Sequence, residues 1–295
     1  MRPAGADAGV AAPGQAEFAF GEAEFERVRQ MIRQRAGIDL GPNKTSMVYS
    51  RLSRRLRELG CPSFADYLGR LQRDAHGDEW QHFVNALTTN LTAFFREAYH
   101  FPVLAEFLKA RAASAGAGAP VRIWCAASSS GEEPYSLAMT AIEALGPAAP
   151  VRIFASDIDT RVLEQARRAV YPLAAVEALD AERRRRFFQR GSGPNAGLAR
   201  VRPEVARLVE FGRVNLVESA WAPREPHHVI FCRNVMIYFD KPTQRAVLER
   251  LHRQLAPGGL LFVGHSENFT SSRDLFELRG KTVYARCDAA VGAAA

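Results

Sequence analysis

The sequence predicts an α/β protein: an open, mostly parallel sheet built to hold a cofactor, with a small antiparallel subdomain inserted and an all-α domain in front. Three observations carry this. The stretch 121–136, VRIWCAASSSGEEPYS, begins as an apolar β-prone run, breaks into small residues at 126–131, and resumes with helical character over 135–145. Strand, tight small-residue turn and helix form the unit at which open α/β sheets bind an extended cofactor. Further apolar strand-like runs follow at 151–156, 208–214, 229–232 and 260–264, with Asp157, Asn215, Arg233 and Asn234 at the ends of three of them. Polar side chains at strand ends converge on the carboxyl edge of such a sheet, where ligands bind. Before residue 90, by contrast, apolar residues recur at helical spacing.

Composition sets the bounds. A chain of 295 residues has room for one large domain and one small one, and 47% apolar content supplies a core. No apolar run reaches the ~18 residues of a membrane span. The Ala/Gly/Pro mixture of 1–17, broken by Asp7, lacks the apolar core of a signal peptide and is expected to be a disordered tail. AAVGAAA at 289–295 is expected to fray as well. Cys61, Cys125, Cys232 and Cys287 lie far apart with no CxxC, so they are expected to be reduced small hydrophobes in a cytoplasmic protein. The seven His include no HExxH and no spaced set with Cys, so no metal is expected. The net charge of +7 is unevenly spread and suggests an acidic partner: nucleic acid, membrane surface or acidic protein.

In chain order, 18–36 places Phe25, Val28, Ile32 and Ala36 on one helical face and ends at Gly37 as a C-cap. A second helix, 43–59, has Val48, Leu52, Leu56 and Leu59 as its stripe. Its other faces carry Lys44, Arg51, Arg54, Arg55 and Arg57 against the single acid Glu58. Such a run is either a solvated face or a surface for an acidic partner, and five cations on one helix favour the partner. Ser63 caps a third helix through 73, and Asp78 begins a fourth through 87. Residues 18–90 are therefore expected to form a helical domain. A linker helix with Phe101, Leu104 and Leu108 then occupies 91–120, ending in SAGAGAP at 114–120. In NLTAFFRE, 90–97, Phe94 and Phe95 suit a core, whereas Asn90, Thr92 and Arg96 stand at a domain junction as candidates for lining a site.

The turn at 126–131 contains neither GxGxxG nor GxxxxGK[ST], and Glu132 and Glu133 stand where a phosphate would sit. A helix start favours anions, but fixed carboxylates there repel a pyrophosphate. The cofactor is thus expected to be a cationic, hydroxyl-rich nucleoside and not NAD or ATP. Asp157 lies one βαβ step beyond Gly131, where a carboxylate can accept both ribose hydroxyl protons. Asp159 suits the N-cap of a helix over 160–170. Residues 172–208 break the rhythm with a basic helix and a turn rich in glycine (Gly191, Gly193, Gly197). They are expected to be an insertion, either an antiparallel subdomain or a plain surface excursion. Later, Asp240 caps a helix over 243–255, Pro257-Gly258-Gly259 turns the chain, and a final strand is expected at 282–286.

Seven stretches together resemble the CheR family of chemotaxis-receptor glutamate O-methyltransferases. They are NLTAFFRE (90–97), AASSSGEEPYS (126–136), ASDID (155–159), RGSGPNAGL (190–198), NL (215–216), IFCRNVMIYFDK (230–241) and LAPGGLLFVGHSENF (255–269). The resemblance covers about residues 20–287, with Ser130 where the family usually has Thr. It implies a Rossmann-like S-adenosylmethionine methyltransferase sheet over 121–288, with S-adenosylhomocysteine as product. It further implies that Asn90, Thr92, Arg96, Ala126, Glu132, Asp157, Ile158, Asn215, Leu216, Arg233 and Asn234 surround the cofactor, with Arg96 and Tyr238 nearest the reacting methyl and the substrate carboxylate. Glu132 is expected to face the cofactor and Glu133 to support the helix start. The glycine turn is implied to dock a peptide at the receptor's C-terminus, and the basic helix to face the receptor's acidic cytoplasmic helices. A glutamate acceptor, with pKa near ~4.3, is ionised at neutral pH and needs no general base. Two other readings compete. An RNA methyltransferase fits the charge, but the aromatic RNP pattern is absent. A non-catalytic cofactor-binding adaptor would need a damaged site, and every family position is filled.

Overall fold

A computed structural model describes residues 17–114, 119–219, 221 and 225–288. The expected tails, 1–17 apart from Glu17 and 289–295, and most of the 114–120 linker lie outside these residues. Four helices open the chain: α1 (Glu22–Ala36), α2 (Thr45–Leu59), α3 (Phe64–Arg73) and α4 (Glu79–Leu87). Their apolar stripes meet in a core of their own, with Val28, Ile32, Leu52, Leu56, Phe64, Tyr67 and Phe83 fully buried. Burial of one such side chain is worth about 1.5–3 kcal/mol, enough to offset the ordering of a small domain when summed. The stops and starts follow local chemistry. Gly37 ends α1 in the left-handed region, with φ 71 and its N–H on Arg33 O, and Ser63 Oγ accepts the Asp66 N–H to start α3.

The rest of the chain alternates strand and helix: α5 (His100–Ser114), β1 (Val121–Cys125), α6 (Glu132–Leu145), β2 (Val151–Asp157) and α7 (Thr160–Arg168). Next come β3 (Val170–Pro172), α8 (Leu173–Glu177), α9 (Ala181–Phe187), β4 (Phe188–Arg190), β5 (Leu198–Val201), α10 (Pro203–Ala206) and β6 (Val209–Arg213). The chain closes with β7 (His227–Phe231), α11 (Lys241–Gln254), β8 (Leu255–Phe262), β9 (Phe276–Gly280) and β10 (Val283–Arg286). One seven-stranded sheet has the order β6-β2-β1-β7-β8-β10-β9, and β3-β5-β4 form a second, antiparallel sheet. In the large sheet β6, β2, β1, β7 and β8 run parallel, β10 returns antiparallel beside β8, and β9 pairs antiparallel with β10 at the edge. The chain moves outward from β1 on one side and resumes at β7 on the other. That makes the β1/β7 boundary the switch point where a crevice opens at the strands' carboxyl ends. No helix of the described residues is long and apolar enough to cross a membrane.

Several expectations shift. Helix α6 starts at Glu132, three residues before the expected 135, because Pro134 sits in its first turn, where a missing N–H costs nothing. The helix expected as a linker, α5, packs Phe101, Leu104 and Leu108 into the main core with α6 and so belongs to the sheet domain. The insertion is antiparallel, begins at Val170, and sends Tyr171, Phe187, Phe188 and Val201 into that same core. Pro257-Gly258-Gly259 lies within β8, beside an irregularity in its register with β7. Strand β9 was not expected, because a five-residue edge strand with only Phe276 buried and Leu278 exposed has too short an apolar pattern to stand out.

Candidate active site

A cavity of about 220 Å³ lies at the carboxyl ends of β1, β2 and β7 and is walled on its far side by the helical domain. Ala126 and Ala127 from the turn after β1, Asp157 and Ile158 from the end of β2, and Leu216 line its floor. Ala36, Ile38, Asp39, Leu40, Lys44 and Met47 form the opposite wall. Hydrogen bonds hold the two walls together: Asn215 Nδ2 to Arg35 O at 2.9 Å, Asp39 N to Tyr238 O at 2.8 Å, and Gln81 Nε2 to Ile158 O at 2.8 Å. An ion pair joins Arg33 to Asp240 across the same boundary.

Asp157 is buried at the end of its strand. Its two oxygens accept the N–H groups of Ser129 (2.8 Å) and Asp159 (3.0 Å), which fixes the carboxylate on the cavity wall. Burial pushes its pKa up to about 6, and those two N–H bonds only partly oppose the shift. Asp159 caps α7 as expected, accepting the N–H groups of Arg161 and Val162. Its other oxygen accepts Thr88 Oγ1 at 2.7 Å and Asn90 Nδ2 at 2.8 Å, which ties the 88–92 segment to the cavity edge. Asn90 and Thr92 both line the cavity there.

Arg96 also lines the cavity, with Nη1 donating to Leu91 O at 2.8 Å. Arg233, whose side chain is 1% exposed, sits behind it. Its Nη1 meets Glu133 Oε2 at 2.7 Å, and its Nη2 donates to Arg96 O at 2.6 Å and lies 3.2 Å from Glu97 Oε2. Its Nε is buried without a partner among the described residues. Burial raises the Glu133 carboxyl, and the Arg233 charge opposes that rise. Beside Arg233, Asn234 takes a left-handed φ of 58 and gives its N–H to Glu267 Oε2. Glu267 accepts the N–H groups of Val235, Met236 and Gly264 as well, which locks the corner that presents Tyr238 to the cavity. Phe95, Glu97, Ser129 and Asn234, four non-glycine residues at positive φ, line the cavity or flank Arg96. At about 1–3 kcal/mol each, such strain persists only where the surroundings hold it in place.

The structure brings Asn90, Thr92, Arg96, Ala126, Asp157, Ile158, Asn215, Leu216, Arg233, Asn234 and Tyr238 to one cavity. The two paired acids have different surroundings. Glu133 borders the cavity with its carboxylate paired to Arg233, and Glu132 accepts Ser130 Oγ at 2.7 Å. With α6 starting at Glu132, adjacent residues point about 100° apart, which sends the two carboxylates to different partners. Asn215 is at the wall, but its amide is engaged with Arg35 O and the Val217 N–H, so it joins the domains.

The basic helix also divides differently from expectation. Arg55 pairs with Glu79 at 2.5 Å as well as with Glu58, and Arg51 Nη1 donates to Thr88 O at 2.6 Å, so both are spent within the fold. The acid contributed by α4 was invisible in the spacing of α2. Lys44 lines the cavity, and Arg54 and Arg57 remain exposed with partners at Glu58 and Glu17. Gly191, Gly193 and Gly197 form the turn between β4 and β5, where a Cβ on Gly191 would sit 2.1 Å from Asn195 O. Sequence reasoning gave no role to Glu97, Glu267 or His265, although each lies in a stretch that carries the family resemblance. Buried acids that accept backbone or arginine donors leave no periodic signal.

Residues 23–88 match the CheR methyltransferase all-alpha domain, and residues 90–285 match the CheR methyltransferase SAM binding domain. The chain is 54% identical over 270 residues to a chemotaxis protein methyltransferase of Salmonella typhimurium, covering 91% of each chain. It is 53% identical over 272 residues to chemotaxis protein methyltransferase 2 of Pseudomonas aeruginosa, covering 92% of this chain and 95% of that one. A Klebsiella aerogenes chemotaxis protein methyltransferase is 54% identical over 265 residues, 89% of each. The chain belongs to the CheR family of S-adenosylmethionine-dependent methyltransferases.

Proposed function

We propose that the chain methylates glutamate side-chain carboxylates on the cytoplasmic helices of chemoreceptors, giving methyl esters, and that it works in the cytoplasm. The observation that carries this reading is the pairing, in one cavity, of a hydroxyl-binding carboxylate (Asp157) with Arg96, Arg233 and Tyr238. The donor set fits the cofactor. Asp157 suits ribose hydroxyls, the small residues after β1 allow close backbone approach, and Arg96 suits a carboxylate. S-adenosylmethionine supplies an electrophilic methyl group on a sulfonium.

The protein's part is alignment. An ionised glutamate oxygen is already a nucleophile, so no residue has to remove a proton. Arg96 and Tyr238 orient the acceptor at the cavity mouth, and holding reactants in line is worth roughly 7–11 kcal/mol. Arg96 is tethered to Leu91 O, so it presents a fixed donor and does not clamp the acceptor in a tight ground state. The helical wall keeps water from the reacting atoms. In this reading Arg54 and Arg57 meet the acidic receptor helices, and the 191–197 turn holds a peptide at the receptor's C-terminus.

Calorimetry with S-adenosylhomocysteine, then tritium transfer from S-adenosylmethionine to receptor fragments carrying Glu or Gln at the acceptor positions, tests the proposal. The expected result is base-labile label on the Glu fragments alone. Label in total RNA and none in receptor fragments would overturn it. Removing the receptor's C-terminal peptide should weaken binding, and unchanged affinity would leave the glycine turn without a docking role.

A further inference from the structure

Arg96 is carried by a segment that the backbone alone would not hold in place. The residues on either side of it, Phe95 (φ 53) and Glu97 (φ 54), are both left-handed and neither is glycine. A side chain must therefore anchor each flank. On the Phe95 side the anchors are evident: its N–H donates to Ser136 Oγ at 2.9 Å, and the Arg183 guanidinium lies 4.0 Å above its ring.

On the other side the anchor is the Glu97 carboxylate, 10% exposed. Oε1 accepts Asn234 Nδ2 at 3.1 Å and His265 Nδ1 at 2.9 Å, and Oε2 accepts Tyr99 Oη at 3.1 Å and lies 3.2 Å from Arg233 Nη2. These partners come from three places: the segment before α5, the loop after β7 and the loop after β8. Burial pushes the Glu97 carboxyl up, but His265, the Arg233 charge and Asn234 outweigh it and hold it down at about 2. Glu97 is therefore a fixed anion across the working pH range. It is absent from the cavity lining, so it acts on the site through its neighbours.

We propose that Glu97 is a positioning residue for methyl transfer, its carboxylate tying three loops together so that Arg96 and Arg233 keep their places at the cavity. Arg233 is then gripped from two sides, by Glu133 and by Glu97, while its Nη2 holds the Arg96 carbonyl. Loss of one grip leaves Arg233 drawn to Glu133 alone and frees the Arg96 carbonyl, shifting the arginine that faces the acceptor. The inference rests on the reading of Arg96 as an acceptor-orienting group.

The test compares Glu97→Gln, which keeps one acceptor oxygen and loses the charge, with Glu97→Ala in the full chain. Each is assayed for kcat and KM on receptor fragments, for S-adenosylhomocysteine affinity and for Tm. Because an ångström of misplacement can cost about 100-fold, kcat is expected to fall at least about 30-fold in Glu97→Ala and about 10-fold in Glu97→Gln. Receptor KM is expected to stay within about threefold, and cofactor affinity to fall by much less than kcat, the split that marks an interaction used in the transition state. A folded Glu97→Ala protein with kcat within about twofold of wild type, or a loss confined to cofactor affinity, overturns the role. If neither variant folds, His265→Ala decides the question, because His265 is 64% exposed and its removal leaves no buried hole. A fall in kcat of about three- to tenfold then supports the role and an unchanged kcat refutes it. Wild-type transfer to receptor fragments tests the proposed function itself, and the variant-to-wild-type ratio tests Glu97, so the two fail separately.

Discussion

Asp157→Asn separates what this carboxylate does for the fold from what it does for the ligand. Burial holds the acid at about 6 in the folded protein, against an ordinary 3.8. A raised carboxyl favours the folded state only while protonated. Its contribution is present at pH below about 4 and is lost as pH rises through about 6, a difference of about 3 kcal/mol at about 1.4 kcal/mol per unit. The asparagine removes that cost, but its single acceptor oxygen cannot serve both the Ser129 and Asp159 N–H groups. The unmet donor costs about 1–3 kcal/mol, so the two effects nearly cancel at neutral pH. Binding responds differently. Two charged hydrogen bonds to ribose hydroxyls, less the cost of ionising the acid, imply a loss of about 2–4 kcal/mol, or roughly 30- to 1000-fold in S-adenosylhomocysteine affinity. Binding that requires the ionised form should also weaken about tenfold in wild type between about pH 7.5 and pH 5, and should be flat in the variant. Calorimetry at both pH values, in two buffers of different ionisation enthalpy, reads affinity and proton release together. A variant affinity within about threefold of wild type, or a wild-type affinity that ignores pH, refutes the assigned role.

Other perturbations follow from the same geometry. Arg233→Met leaves the buried Glu133 and Glu97 carboxylates without their shared cation. It should destabilise the protein by about 3–5 kcal/mol, seen as a fall in Tm of about 6–20 °C in thermal melts. Gly131→Ala would force a Cβ to within 2.7 Å of Tyr171 Oη and 2.9 Å of Ala166 Cβ at a φ of 100, and should lower stability by about 2–4 kcal/mol in urea titrations. The double variant Arg54→Ala and Arg57→Ala should raise KM for receptor fragments while changing stability by less than about 0.5 kcal/mol. An unchanged KM removes that helix from the acceptor surface. Arg55→Ala, by contrast, breaks the Glu79 pair and should appear first as about 1–3 kcal/mol of lost stability in the same melts.

Much of this molecule could be read from local pattern. Helical spacing marked the stripe of Val48, Leu52 and Leu56, and apolar runs marked β1 and β2, because burial imposes a period on each element. The capping roles of Ser63, Asp159 and Asp240 were legible for the same local reason, since a cap bonds N–H groups two or three residues away. Strand-end positions gave Asp157 and Arg233, because a parallel sheet delivers its carboxyl ends to one edge. What the sequence could not supply were relations between elements distant in the chain. Glu79 neutralises Arg55 across 24 residues, and Asn215, at the cavity wall, also links the domains by meeting Arg35 O, 180 residues away.

The same holds at the centre of the site. Composition and motif identified 126–136 as the cofactor turn, but the partners of Glu132 and Glu133 depended on where α6 begins and on where the Arg233 guanidinium arrives. One residue of helix start rotates a side chain by about 100°, and no periodicity fixes a start to that accuracy beside a proline. The sequence by itself determined the fold class, the strand edge that binds and the chemistry of the turn. Only the tertiary structure decided which charges are spent within the fold and which are left at the cavity, because a buried ion pair is set by three-dimensional proximity and not by spacing along the chain.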